Sequence, residues 1–154
     1  MTEAQLAFIE ETGLLFEANE LPRMAGRLLG ALLMADPPEQ SADELARTLR
    51  ASRGSISSTT QLLERIGFID RVSKPGERRT YYRNKPGAWL EMTRRGLEQV
   101  KGYRELAERG LTLLTSDDPE VRRGLEEMRD FYAFVEAEFP TVFERWRGRS
   151  GKAR

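Results

Sequence analysis

Two helix starts stand close together in the stretch SADELARTLRASRGSISSTTQLLERIGF, and they leave this part of the chain few options. Ser41 followed by Glu44 is a capping box, in which the serine hydroxyl accepts from a first-turn amide while the glutamate reaches back to the serine N–H. Leu45, Ala46 and Leu49 give that helix a short buried face. Ser52 then caps a second helix, and Gly67 suits its left-handed stop. Two short helices joined this tightly describe a helix-turn-helix. The second one is odd for a packed element. Ser52, Ser55, Ser57, Ser58, Thr59 and Thr60 are poor helix formers, because their hydroxyls compete for backbone hydrogen bonds. Ile56, Leu63 and Ile66, with Thr59 and Thr60 between them, nevertheless keep helical spacing. With that side inward, Arg53, Ser57, Ser58 and Gln61 point outward and Ser55 lies near the helix entrance.

After Gly67 the period changes from helical to alternating. FIDRVSKPGERRTYYRN predicts a strand over Phe68–Val72, a turn centred on Pro75-Gly76 and a return strand over Thr80–Arg83. A hairpin directly after a helix-turn-helix is a wing. Lys74, Arg78 and Arg79 crowd its tip and return. Tyr81 and Tyr82 are neighbours on a strand, so one is expected to pack inward and the other to lie outside.

The flanks are helical. Residues 4–19 carry Leu6, Ile9, Gly13 and Phe16 on one stripe, with Phe8 and Leu15 beside it and only acidic charges. A second helix begins near Leu21 with Pro22 in its first turn; Met24, Ala25, Leu28, Leu29, Leu32 and Leu33 widen its apolar face, and Pro37-Pro38 ends it. From Pro86 a long helix places Trp89, Met92, Gly96, Val100, Tyr103, Ala107 and Leu111 three and four apart. Asp118 and Pro119 open another, striped by Val121, Leu125, Met128, Phe131, Tyr132, Val135 and Phe139. Pro140 is expected to interrupt it, leaving Val142, Phe143 and Trp146 to a last short turn before a frayed basic tail. The fold class is mainly α with a small β-hairpin wing, the wing being the only helix-free region. A winged helix-turn-helix occupies 21–85, helices over 1–20 and 86–148 form a second region, and 149–154 is a disordered tail.

Composition narrows function by exclusion. The chain has 154 residues and neither cysteine nor histidine. That removes disulfides, thiolate chemistry, cysteine zinc sites, and the commonest general base and metal ligand. No spaced acidic cluster suggests a metal site, so no catalytic residue, metal or cofactor is expected, and the chain does not read as an enzyme. No apolar run approaches the roughly 20 residues of a membrane span, and the acidic start lacks the form of a signal peptide, so a cytoplasmic location is expected. The net charge is zero, but from Arg50 to Lys85 nine basic residues face three acidic ones. That segment carries +6 and the rest of the chain −6, which points to a polyanionic partner. Small hydroxyl side chains let a helix approach a base edge or phosphate, glutamine suits adenine, and arginine suits guanine or phosphate. The candidate DNA contacts are therefore Ser52, Arg53, Ser55, Ser57, Ser58, Gln61 and Arg65 on the helix, and Lys74, Arg78 and Arg79 on the wing. The competing readings are a solvated helix beside a basic turn, and a winged-helix protein-interaction module without DNA binding. A scaffold would have no need of the charge excess.

The run from LPRMAG at residue 21 to TYYR at residue 83 resembles the MarR-type winged-helix regulators. More narrowly it is similar to the GbsR-like branch, in its SRGSIS start to the second helix, its IGFI exit and its GERRTYY wing, and to mycobacterial and actinobacterial repressors of membrane efflux systems. The likeness spans roughly residues 5–140 and is densest over 21–84. It implies a homodimer in which the N-terminal helix and the two C-terminal helices of each subunit interlock as a helical dimerisation domain. The residues agree independently, since those helices are apolar-striped, and three of them around one small winged helix carry more apolar surface than a monomer would readily hide. It also implies a palindromic double-stranded DNA operator, repression of a transport or efflux operon, and a small, often lipophilic effector held between the DNA-binding and dimer regions. Phe8, Phe16, Met24, Trp89, Met92 and Tyr103 are the candidates for that effector site; at helical spacing the same residues read equally as plain core.

Overall fold

The computed structural model describes residues 1–77 and 79–150. Among them run α1 (Glu3–Ala18), α2 (Arg23–Leu33), β1 (Gln40–Ser41), α3 (Ala42–Leu49), α4 (Arg53–Ile66), β2 (Ile69–Ser73), β3 (Thr80–Asn84), α5 (Ala88–Leu113) and α6 (Pro119–Ser150). The chain divides into two compact units, Met1–Trp89 and the residues from Leu90 onward.

In the first unit α2 is the central element, with α1, α3, α4 and β3 packed on it. Leu28, Leu29 and Leu32 of α2 meet Leu45 and Leu49 of α3 and Ile56 and Leu63 of α4 in a fully buried core. The α1–α2 crossing is close because glycine allows it. A Cβ on Gly26 would strike the Thr12 carbonyl oxygen and come within 2.8 Å of Gly13 Cα and Phe16 Cβ. Ile9, Gly13 and Phe16 are thereby buried, whereas Leu6, Leu14 and Leu15 stay exposed in the single chain. Phe16 leads into an aromatic row, 5.6 Å from Phe68, which lies 5.1 Å from Trp89 edge to face.

Local chemistry sets the helix ends. Thr2 and Gln5 form a capping box on α1, and Ser41 and Glu44 form the expected one on α3. Ser52 accepts from the Ser55 N–H at 3.1 Å, and Gly67 closes α4 in the left-handed region at φ 87°. Pro22 sits at the cap position of α2, just outside the first turn where it was expected. The strands form one antiparallel sheet in the order β1-β3-β2, with Arg71 opposite Tyr82 and Val72 opposite Tyr81. β1 was not expected. Gln40 and Ser41 pair with Tyr82 and Tyr81 along the edge of β3 that β2 leaves open.

In the second unit, α5 and α6 pack as a helical pair. Ala107 and Leu111 are buried, Leu125 lies close over Gly110, Tyr103 stacks on Tyr132 with centroids 5.0 Å apart, and Arg104 bonds Glu136 across the pair. Pro140 does not interrupt α6, which runs unbroken to Ser150. A proline removes one helical hydrogen bond, but here long helical stretches lie on both sides of it. The rings of Phe139 and Phe143, 6.2 Å apart, also tie the turn before it to the turn after. The expected tail over 149–154 is corrected at its start, since residues 149–150 belong to α6; the remainder lies outside the described residues.

Candidate nucleic-acid interface

The face of α4 turned away from the core is made of Ser52, Arg53, Gly54, Ser57, Ser58, Gln61 and Arg65, all exposed, with Ser55 half-buried at the entrance. Ile56, Thr59, Thr60 and Leu63 are buried on the other side. This is the orientation that the spacing of the apolar residues predicts. The hydroxyls mostly satisfy themselves. Ser58 donates to the Ser55 carbonyl at 3.1 Å and Thr60 to the Ser57 carbonyl at 3.0 Å, while Ser52 is occupied as the cap. Ser57, Gln61 and Arg65 have no side-chain partner among the described residues, so their polar groups face solvent ready to accept one.

The wing differs from a plain cluster of free cations. Lys74 is held back, its Nζ 3.2 Å from Glu39 Oε2 and 4.2 Å from the centre of the Tyr81 ring. Arg83 approaches the same Glu39 at 3.8 Å. Arg71 makes a two-pronged pair with Glu64 of α4 at 3.1 and 3.0 Å and lies over the Tyr82 ring. That pairing raises the Arg71 pKa above its ordinary value. Both tyrosines are buried, against the expectation of one in and one out: Tyr81 lies under Lys74 and bonds Glu77, and Tyr82 lies beneath Arg71. Long charged side chains cover whichever ring the core does not. The Glu77 hydrogen bond, with burial and that carboxylate's charge, pushes the Tyr81 phenol up. Arg79 is exposed with no ion pair among the described residues, and Arg78 lies outside them.

The structure adds Arg47 to the candidates. It projects from α3 beside Arg53 and Arg79, and these three arginines with Asp43 and Ala46 line one shallow depression between α3, α4 and the wing. Asp43 Oδ1 lies 3.0 Å from Arg53 in that cluster. The available signal was the spacing of Asp43 and Arg47, which puts both on one face of α3. Glu44 sits alongside with its carboxyl held below the usual range, chiefly by the Ser41 hydroxyl and N–H, with the Arg47 and Arg79 charges assisting. Behind the helix-turn-helix, Arg27 is a strut, with Nε on Glu10 at 2.7 Å and a terminal nitrogen on the Leu49 carbonyl at 3.1 Å.

The six effector candidates are scattered in their roles. Phe16 is core and Trp89 exposed in the first unit, Phe8 and Met24 are half-buried there, and in the second unit Met92 is half-buried and Tyr103 is engaged with Tyr132. A groove of about 400 Å³ in the second unit is lined by Leu97, Lys101, Phe139 and Phe143 among others, and by none of the six. Among the described residues no cluster of acidic side chains is arranged to hold a metal, and no helix is long and apolar enough to cross a membrane.

A reading helix with a small, amide-tipped outer face, set behind a capped helix and ahead of a β-hairpin, places the molecule among the winged helix-turn-helix DNA-binding proteins. Comparison with known proteins makes the class specific. Residues 20–80 match the model of the MarR family, and residues 87–149 match that of the MmpR5-like MarR family transcriptional regulators. Over 147 residues the chain is 40% identical to the HTH-type transcriptional regulator MmpR5 of Mycobacterium tuberculosis (strain ATCC 25618 / H37Rv), covering 96% of this chain and 89% of that one. A crystal structure of a transcriptional regulator is 39% identical with a TM-score of 0.74, over 94% of this chain and 99% of that one. The chain belongs to the MarR family of transcriptional regulators, DNA-binding proteins rather than enzymes. Neither matched model is that of the narrower GbsR-like branch.

Proposed function

We propose that the protein is a homodimeric, ligand-responsive repressor of a transport or efflux operon, acting in the cytoplasm. Each α4 enters a major groove of a palindromic operator, with the wing over 73–80 on the flank. The observation that carries this reading is the outer face of α4, where Ser57, Gln61 and Arg65 are exposed and unbonded while the same helix buries Ile56 and Leu63. Small residues at the centre of that face permit close approach, and Gln61 has the reach and donor–acceptor pair for an adenine edge. The dimer is supported by apolar side chains left in solvent by the single chain. Leu6, Leu14 and Leu15 on α1, Leu106 and Leu113 on α5, and Phe131 and Phe134 on α6 are all exposed, more apolar surface than a soluble monomer ordinarily shows. The sequence resemblance to mycobacterial and actinobacterial efflux repressors supports an efflux operon as the target, and a lipophilic effector contacting Phe8, Phe16, Met24, Trp89, Met92 and Tyr103 belongs to the same reading.

The test is a duplex selected in vitro by the wild-type protein, set against a scrambled one in fluorescence anisotropy. Gln61→Ala should lose about 1–3 kcal/mol on the selected duplex and almost nothing on the scrambled one. Equal affinity of mutant and wild type for the selected duplex removes α4 as the reader. Light scattering that returns a monomer at micromolar concentration removes the dimer.

A further inference from the structure

Arg53 and Asp43 are both at the surface, with side chains 84% and 50% exposed, yet they meet at 3.0 Å. An ion pair this exposed adds little to folding, because water screens it and two side chains lose freedom. Its position is more informative. Arg47 of α3, Arg53 of α4 and Arg79 of the wing converge on one depression, and Asp43 is the carboxylate that faces it. Three cations from three separate elements repel one another unless an anion sits among them. The Arg47 and Arg79 charges also both reach the Glu44 carboxyl next along α3. Asp43 is further tied to the arginines through the backbone, its carbonyl accepting from Arg47 Nε at 3.3 Å. Arg53 meanwhile opens α4, so whatever holds this guanidinium bears on how the reading helix is presented.

We propose that Arg47, Arg53 and Arg79 form a clamp for one DNA phosphate, and that Asp43 is its resident counter-charge, an internal competitor that DNA must displace. This rests on the reading of α4 and the wing as the DNA face, and it adds Asp43 as a residue that sets specificity. On an arbitrary duplex the phosphate must compete with a carboxylate already in place, so sequence-independent binding is held down. On the operator the base contacts of α4 fix the register, and the exchange of carboxylate for phosphate follows. The consequence concerns discrimination more than affinity.

The experiment uses the full-length protein and two labelled duplexes, one of arbitrary sequence and one selected by the wild type, titrated across a potassium chloride series. Asp43→Asn keeps the side-chain shape and removes the charge. It should bind the arbitrary duplex about two- to fivefold more tightly at ~0.1 M salt, and steepen the slope of log affinity against log salt by about 0.9. The selected duplex should gain less, so the ratio of the two affinities falls. Adding Arg47→Ala to Asp43→Asn should return the arbitrary duplex to wild-type affinity. If Asp43→Asn leaves affinity and slope on the arbitrary duplex unchanged while Gln61→Ala still loses the selected one, the DNA face stands and the clamp is refuted. A wild-type protein for which no duplex can be selected overturns both together. Lower melting of Asp43→Asn with an unchanged salt slope marks Asp43 as an ordinary first-turn acid of α3, and also refutes the clamp.

Discussion

Replacing Gly26 by alanine tests the geometry on which the DNA-binding unit is built. In an exposed helix the exchange would be favourable by about 0.8–1 kcal/mol, since alanine is the better helix former. Here the new methyl meets backbone: the Thr12 carbonyl oxygen, Gly13 Cα at 2.8 Å, and Phe16 Cβ at 2.8 Å. Carbon atoms in ordinary contact sit about 3.5–4.0 Å apart, so α1 must withdraw from α2 by roughly 1 Å. None of those atoms is the free end of a flexible side chain. Overpacking of this kind costs about 1–3 kcal/mol, and the upper end applies because Ile9 and Phe16 lose contact as α1 moves. Set against the helix gain, the net loss is about 2 kcal/mol. For a chain of this size that lowers the melting temperature by about 4–8 °C, read by circular dichroism at one fixed protein concentration. Gly54→Ala is the control. Its methyl would find only Ser52 Oγ, at 3.9 Å, and should leave melting unchanged or slightly raised. If Gly26→Ala melts at or above the wild-type temperature, the α1–α2 crossing described here is wrong.

Ser57→Leu should fold and melt as wild type, because the position is exposed, and should abolish binding to the selected duplex by holding α4 away from the bases. Should it unfold the protein instead, α4 is turned the other way. Lys74→Ala should lower stability by about 0.5–1 kcal/mol through the lost Tyr81 and Glu39 contacts, with the salt dependence of DNA binding unchanged. Arg79→Ala should do the reverse, flattening the salt slope by about 0.9 with no change in melting; identical salt slopes for Arg79→Ala and wild type would remove the wing as a phosphate contact. Burial pushes the Glu10 carboxyl up, but its bonds to Arg27 and Arg23 and their charges outweigh that and hold its pKa below the usual value. The Glu10 pairs therefore stabilise the fold above the unfolded pKa, near 4.5, and that stability fades as pH falls through the lower folded value. Glu10→Gln should cost about 0.5–1 kcal/mol at neutral pH and nothing below that range, and a constant penalty down to pH 2 would refute the assignment.

The sequence was most legible where local periodicity carried the information. Ile56 and Leu63 fixed which side of α4 is buried, and Ser41, Ser52 and Gly67 fixed its neighbours and limits, because caps and stops act within a few residues. What failed was long-range. A charge count between Arg50 and Lys85 does not register that Glu39, from the connection between α2 and β1, lies against Lys74 and Arg83. The two-residue strand β1 has no pattern of its own and exists only because β3 offers an open edge. Both tyrosines of β3 are buried because the roof is made by side chains of other positions, which alternation along one strand does not register. The average effect of a proline predicts a break at Pro140, whereas the helix on either side outweighs it.

The pairing pattern changes what the basic segment says about affinity. Arg71 pairs with Glu64, which the count of that segment already includes, while Glu39 and Asp43 from outside it serve Lys74, Arg83 and Arg53, so two of the six surplus charges are compensated within the chain. Among the described residues around the reading helix, Arg47, Arg50, Arg65 and Arg79 remain exposed and without an ion pair. With Arg47 and Arg79 sharing one phosphate in the proposed clamp, three phosphate contacts give a salt slope of about −2.7, which is weak binding at physiological salt. On the proposed reading a single subunit would hold DNA poorly and draw its base contacts from Gln61 and its neighbours. In the proposed dimer the slope would double to about −5 and the second half-site would become an intramolecular event, which raises affinity by orders of magnitude without a new contact. The sparse charge on each reading surface thus supports the same conclusion as the exposed leucines and phenylalanines of α1, α5 and α6. On the proposed reading the DNA-binding unit works in pairs, and a helix spacing set by the dimer would turn a weak phosphate grip into recognition of a palindrome.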